Sequence, residues 1–132
     1  MEIRGRTISK GIAEGEVLIS KHPISFYGGI DPDSGAVVER GHELEGKSIR
    51  GKILVFSHGK GSTVGSYTLY RLKKKGIAPK AIINEECEPV VAVGAIISAI
   101  PLIDKLEKNP FKILKNGDKV IVNASEGWIK KI

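Results

Sequence analysis

Lys52-Ile53-Leu54-Val55-Phe56-Ser57-His58-Gly59-Lys60-Gly61-Ser62-Thr63-Val64-Gly65-Ser66 is the stretch on which the fold turns. Ile53 to Phe56 is a short apolar run of the kind found in strands buried on both faces. Gly59 and Gly61 then punctuate a turn, and both suit positive φ angles and a close approach to the backbone. Beyond Ser62, the residues Val64, Tyr67, Thr68 and Leu72 recur at helical spacing and predict one apolar face. Lys73-Lys74-Lys75 followed by Gly76 are helix stop signals. Ala81-Ile82-Ile83-Asn84 is a second short buried strand. Strand, glycine turn, helix, strand is the repeating unit of an α/β domain.

Working outward, Glu85-Glu86-Cys87-Glu88-Pro89 precedes the apolar run Val90 to Ala99. Pro89 suits a first helical position and the acidic residues suit a helix N-terminus. That favours a short, largely buried helix followed by a strand at Ile100 to Asp104. The β-branched richness of the run keeps strand open as the alternative. Asn116-Gly117-Asp118 is a turn, Lys119 to Asn123 a strand, and Ser125-Glu126-Gly127 turns the chain into a closing strand from Trp128. At the other end, Glu2 to Lys10 and Gly11 to Ile19 read as two short strands, with Gly11 and Gly15 at turns or bulges. Ser20 to Gly35 is irregular, and its Ser25-Phe26-Tyr27-Gly28-Gly29 segment is unusual for a mere connector. Loops of that length are often functional. Ala36 to Glu39 is expected as a short strand, and Gly41 to Gly51 as a polar link in which His42 is structural. Residues 1–132 make one mixed α/β domain.

The chain has 132 residues, 41% of them hydrophobic, enough for one core and too few for two ordinary domains. Its formal charge of +6 is concentrated at Lys73 to Lys75 and at Lys130-Lys131. A solvated surface is the simplest account, with attraction to an anionic substrate or acidic partner as the sharper one. Nucleic acid is disfavoured, because no aromatic stacking array or binding motif is present. Cys87 is the single cysteine, so neither an internal disulfide nor a metal or iron–sulfur site can be assembled from this chain alone. No export signal or membrane span is apparent, and the expected location is the cytoplasm.

The chemistry, if present, belongs to the loop at Ser62. Gly59-Lys60-Gly61-Ser62 lacks the spacing of a P-loop, and Gly61-Ser62-Thr63-Val64-Gly65 is not G-x-S-x-G. Rossmann glycine spacing is missing, and His58 on the same loop does not make a triad. Two readings stay open. In one, Ser62 or Thr63 is simply the helix N-cap. In the other, the N–H groups that follow Ser62 form a nest able to hold a phosphate or carboxylate, or to favour an alkoxide at Ser62.

A set of residues along the whole chain resembles the small subunit of the aconitase X family, including its archaeal phosphomevalonate dehydratase members. The set comprises Ser25-Phe26-Tyr27-Gly28-Gly29-Ile30-Asp31-Pro32 with Gly35, His42-x-x-x-Gly46, Gly51-Lys52-Ile53-Leu54, Gly59-Lys60-Gly61-Ser62, and Gly94-Ala95-Ile96 leading to Ile100-Pro101. The resemblance implies a swivelling three-layer β/β/α domain, with a mixed, barrel-like sheet core and two main helices. It implies a large partner subunit carrying a 4Fe-4S cluster, so that this chain binds no metal of its own. Ser62 would occupy the position of the aconitase catalytic base, and Gly59, Lys60, Gly61 and Thr63 would contact substrate. Aconitases place an arginine shortly after that serine, whereas Thr63-Val64 follow here, so carboxylate binding must differ.

The implied reaction is dehydration of (R)-5-phosphomevalonate, a small phosphorylated hydroxy acid, to trans-anhydromevalonate 5-phosphate in an archaeal mevalonate pathway. Ser62 would remove the proton beside the carboxylate while the partner's iron draws off the tertiary hydroxyl. Two alternatives stand beside it. One is a subunit of a cis-3-hydroxy-L-proline dehydratase. The other is a non-catalytic swivelling or regulatory domain, since the tail Gly117 to Trp128 resembles the closing hairpin of phosphohistidine swivelling domains. The region Glu85 to Ala95 carries no phosphorylatable histidine, which counts against transfer chemistry.

Overall fold

A computed structural model describes residues 1–132. In chain order the elements are β1 (Glu2–Arg4), β2 (Arg6–Ser9), β3 (Ile12–Ile19), α1 (Phe26–Gly29), β4 (Ile53–Phe56), α2 (Val64–Lys74), β5 (Ala81–Asn84), α3 (Pro89–Ser98), β6 (Leu102–Asp104), α4 (Pro110–Ile113), β7 (Lys119–Asn123) and β8 (Trp128–Lys131). The strands form one mixed sheet in the order β1-β8-β7-β3-β4-β5-β6-β2. β3, β4, β5 and β6 run parallel, whereas β1, β8, β7 and the start of β3 pair antiparallel.

Two hydrophobic clusters show that this sheet folds into two layers with a helical layer outside. Leu54, Phe56, Ile82 and Leu102 point to one side and pack with Leu69 and Leu72 of α2 and Val91 and Ala95 of α3. Their neighbours Ile53, Val55, Ala81, Ile83 and Ile103 point the other way, onto Val120, Val122 and Ile129 of the second β layer. Period-two alternation on strands covered from both sides produces this division, and it gives the expected β/β/α sandwich. Each fully buried Leu, Ile or Phe contributes about 1.5–3 kcal/mol relative to exposure.

The sheet is not a closed barrel. β3 bends between layers, its first residues pairing with β7 and Val17 to Ile19 with β4. The other crossing is covalent. β1 ends one edge on β8, β2 ends the other on β6, and only Gly5 separates them. A Cβ at Gly5 would lie 2.7 Å from Asp104 O and 2.8 Å from Ile103 Cγ2, so only glycine fits where the layers meet. The stretch Glu2 to Lys10, expected as one strand, is therefore two.

Other departures are local. Ala36 to Glu39 is not a strand, since Ala36 and Val37 make only isolated bridges to Ser48 and Ile30. Helix, not strand, is the state of Pro89–Ser98, fixed by Glu88, whose carboxylate accepts from Val90 N and Val91 N at 2.9 and 2.7 Å. That helix is less buried than expected, because Val93, Ile96 and Ile97 are exposed. On α2 the buried face is Gly65, Ser66, Thr68, Leu69 and Leu72, which leaves Val64 and Tyr67 outside. The face is rotated because small residues are needed against α3. Ser66 Oγ donates to Val90 O at 2.6 Å, and a Cβ at Gly94 would come 3.2 Å from Ser66 Cα.

His42 is structural, as expected. It is buried, its Nδ1 accepts from Leu44 N at 3.0 Å, and its Nε2 lies 3.1 Å from Pro23 O. No helix is long and apolar enough to cross a membrane.

Candidate active site

The chain leaves β4 at Phe56 and reaches α2 through the loop Ser57 to Thr63. This loop is held from both sides. Toward the N-terminal part of the chain, Ile24 N donates to His58 O at 3.1 Å and Lys60 N donates to Ile24 O at 3.0 Å. Gly61, at φ +93°, has its α-carbon turned onto Ser25, and a Cβ there would sit 2.6 Å from Ser25 Oγ. Gly61 thus needs glycine for its φ and for its contact. The Ser25–Gly29 segment, in which α1 is interrupted by non-helical backbone at Tyr27 and Gly28, is the second wall of the site, packed against the first turn of α2 at Gly65 through Phe26 Cβ and Tyr27 N.

Gly59 needs glycine for another reason. Its φ lies outside the left-handed range, but a Cβ would overlap the Glu88 carboxylate and Val91 Cγ2. The N-cap of α3 is therefore pressed against the serine loop. Glu88 is the residue that sequence reading missed. Its position before Pro89 marks it as a helix cap, but nothing local signals that its side chain also abuts a glycine 29 positions earlier.

Ser62 is exposed at the mouth of this loop. Its Oγ accepts a hydrogen bond from Val64 N at 3.1 Å, and its carbonyl accepts from Gly65 N at 2.9 Å. Thr63 is also exposed and already has helical φ and ψ, and its side chain caps nothing. Ser62 therefore performs the capping, and its oxygen keeps lone-pair capacity beyond the one N–H it receives. The N–H groups of Gly61, Ser62 and Thr63 donate to no backbone acceptor. Exposed donors at the positive end of an eleven-residue helix favour an anion at this spot.

Lys60 stands beside the loop with its Nζ 2.9 Å from Glu39 Oε2, so an incoming anion has to compete with that carboxylate. His58 is exposed and its Nδ1 lies 2.8 Å from Gly59 O, which occupies it within its own turn. Next to Ser62, a cleft of about 430 Å³ is lined by Tyr27, Gly28, Pro32, Val64, Tyr67 and Arg71. Arg71 and Lys75 both pair with Asp33 at its far end, and Lys75 holds the Asp33 carboxyl below the usual range. A polar depression of about 300 Å³, lined by Glu14, Arg50, Lys52, Lys80 and Lys119, lies at the opposite ends of β4 and β5.

Cys87 is half-buried. Burial, aided by Asp104 and Glu88, pushes its thiol up to about 12, so it is not a nucleophile near neutrality. Asp104 is fully buried, accepts from Cys87 N at 2.7 Å, and takes both Nε and Nη2 of Arg6 at 2.9 and 2.7 Å. This network pins the Glu85–Glu88 turn to the edge of the sheet. No cluster of three or more His, Cys, Asp or Glu side chains is arranged to hold a metal.

Comparison with known proteins gives a consistent picture. The family model for the aconitase X swivel domain matches residues 2–131. The phosphomevalonate dehydratase small subunit of Methanosarcina acetivorans is 66% identical over 132 residues, covering 100% of this chain and 92% of that protein. The phosphomevalonate dehydratase small subunit of Pyrococcus abyssi is 50% identical over 132 residues, covering 100% and 99%. A crystal structure of Thermococcus kodakaraensis aconitase X in its holo-form superposes with a TM-score of 0.94 at 51% identity, covering 100% of this chain and 98% of that one.

Proposed function

The chain belongs to the aconitase X swivel-domain family, and we propose that it is the small subunit of a phosphomevalonate dehydratase, with Ser62 as its proton-abstracting base. The observation that carries the reading is the state of the Ser62 hydroxyl. It is exposed, fixed at the start of α2, and holds the Val64 N–H at 3.1 Å. The relatives named as phosphomevalonate dehydratase small subunits support the assignment of substrate, and their name supports a larger companion.

The substrate is (R)-5-phosphomevalonate and the product trans-anhydromevalonate 5-phosphate. Ser62, having lost its proton to solvent, takes a proton from the carbon beside the carboxylate. The electron pair of that C–H bond becomes the new C=C bond, and the tertiary hydroxyl departs from the adjacent carbon to complete the loss of water. A serine is a poor base in water, so the Val64 N–H and the helix N-terminus must stabilise the alkoxide. Removing one such donor to a developing oxyanion costs about 2.7–4 kcal/mol, which sets the scale of the loop's contribution. Gly61 and Thr63 present main-chain donors for an anionic group of the substrate. Lys60 contributes when it exchanges Glu39 for that group, whereas Gly59 acts by letting α3 pack closely.

The family's 4Fe-4S cluster does not fit this chain, which offers one half-buried, protonated cysteine and no ligand cluster. Ligands for such a cluster would have to come from the larger subunit, where it would supply Lewis-acid chemistry toward the departing hydroxyl. The test is Ser62→Ala in the complex reconstituted with that subunit. We expect assembly to be intact and kcat to fall by at least about 10³-fold, with cis-3-hydroxy-L-proline dehydrated by neither form. Turnover within about tenfold of wild type would remove Ser62 from the chemical step, and hydroxyproline turnover would move the enzyme to the other substrate.

A further inference from the structure

The helical layer has an outer face that nothing in this chain covers. Beyond its N-cap Glu88, α3 from Pro89 to its C-cap Ala99 contains no charged residue, and only Ser98 is polar. A helix apolar all round is ordinarily enclosed on all sides. Here Val91, Gly94, Ala95 and Ser98 are buried, but Val93 is 50% exposed, Ile96 57% and Ile97 44%. Scattered single hydrophobics need no explanation, whereas a contiguous group on one helix marks a contact surface. The close approach of α2 and α3 at Gly94 and Ser66 brings the outer faces of the two helices side by side. On α2 the exposed Tyr67 and Tyr70 therefore extend the surface, while Val64 lines the adjacent cleft with Tyr27, Pro32 and Arg71.

We propose that this α2–α3 face is the surface on which the larger subunit docks, bringing its substrate-holding centre over Ser62. The proposal rests on the functional reading above, because Ser62 immediately precedes the first turn of α2, the helix that carries Tyr67 and Tyr70 of this face. A protein that delivers substrate to Ser62 must lie over the first turn of α2, and the apolar surface begins there. A second copy of this chain seated on the same face would cover Ser62 and shut it away. The α2 end of the face is bordered by exposed Lys73 and Lys74, with Lys74 over the Tyr70 ring at 5.4 Å. The complementary surface is therefore apolar at its centre and acidic at that margin. Tyrosines are enriched at interfaces, and interface cores are depleted of charge, as this face is at its centre.

The test uses the full chain and the larger subunit, with association measured by calorimetry and activity titrated against the larger subunit. Ile96→Glu and Ile97→Glu, each at an exposed position far along α3 from the loop, should leave the circular dichroism spectrum and thermal midpoint unchanged. They should weaken association at least about 30-fold, with activity recovered at high concentrations of the larger subunit. Ile12→Glu, on the opposite β layer, should bind as the wild type does. Ser62→Ala should associate normally, so loss of the catalytic reading leaves the docking surface standing and the reverse also holds. Unchanged affinity of both Ile variants would overturn the proposal. So would a finding that the isolated chain self-associates and that Ile96→Glu abolishes only self-association.

Discussion

Gly59→Ala is the sharpest probe of how the serine loop is built. Because the φ of Gly59 is ordinary, alanine strains no backbone there, and any effect must come from the added methyl. That methyl would lie 3.0 Å from Glu88 Cδ and would overlap the carboxylate oxygen and Val91 Cγ2. Val91 is buried on α3 and cannot retreat without moving the helix, while Glu88 can retreat only by releasing Val90 N and Val91 N. Overpacking costs about 1–3 kcal/mol and loss of an N-cap about 1 kcal/mol. Stiffening the unfolded chain returns about 0.4–1 kcal/mol, for a net loss of roughly 1–3.6 kcal/mol. With an unfolding entropy of about 2.1 cal/mol/K per residue over 132 residues, the thermal midpoint should fall by roughly 4–13 °C. Calorimetry on Gly59→Ala, Glu88→Ala and the double variant checks the cause as well as the size. The double variant has already lost the cap and one of the clashing groups, so its loss should be smaller than the sum by about 0.5–1 kcal/mol or more. A midpoint within about 2 °C of wild type for Gly59→Ala, or strict additivity, would refute the packing account.

Further outcomes follow from the charges around the loop and from Cys87. Glu39→Gln should free Lys60 and lower KM for the anionic substrate a few-fold, whereas Lys60→Met should raise it. Steady-state kinetics of the reconstituted complex reads both, and two unchanged KM values would leave Lys60–Glu39 as a surface ion pair of little worth. The Cys87 thiol is raised from 9.0 to about 12, so between those values the unfolded chain sheds its proton first. Its stabilising contribution is complete below about pH 9 and is lost as pH rises toward about 12. The wild-type midpoint should therefore decline more steeply than that of Cys87→Ala between about pH 8.5 and 10.5. At neutral pH a thiol reagent should label the folded chain far more slowly than the unfolded one, and labelling at the rate of a free thiol would contradict the burial argument.

Much of the helical half was legible because its signals are local. Ile53 to Phe56, the lysines and Gly76 at the end of α2, and Pro89 after an acidic cap each determine their own conformation within a few residues. The constellation from Ser25 to Pro101 was enough to indicate the family, and Ser62 could be placed at a strand–helix turn without coordinates. The resolution of Ser62 against Thr63 could not. Both are competent caps, and the choice fell to Ser62 because Thr63 had already entered helical geometry.

What tertiary structure alone decided is which groups distant in the chain share a surface. Gly5 is an ordinary glycine until β8 and β6 fix its neighbours at opposite edges of the sheet. Gly59 invites a reading of positive φ, yet it is needed because Glu88 and Val91 arrive from another strand–helix unit. Tyr67 and Ile96 fit the periodicity of buried helices, and only the close contact at Gly94 turns them outward together. Periodicity along a chain records that a residue prefers to leave water. Whether its own fold or another molecule grants that preference depends on contacts between segments that no local pattern encodes.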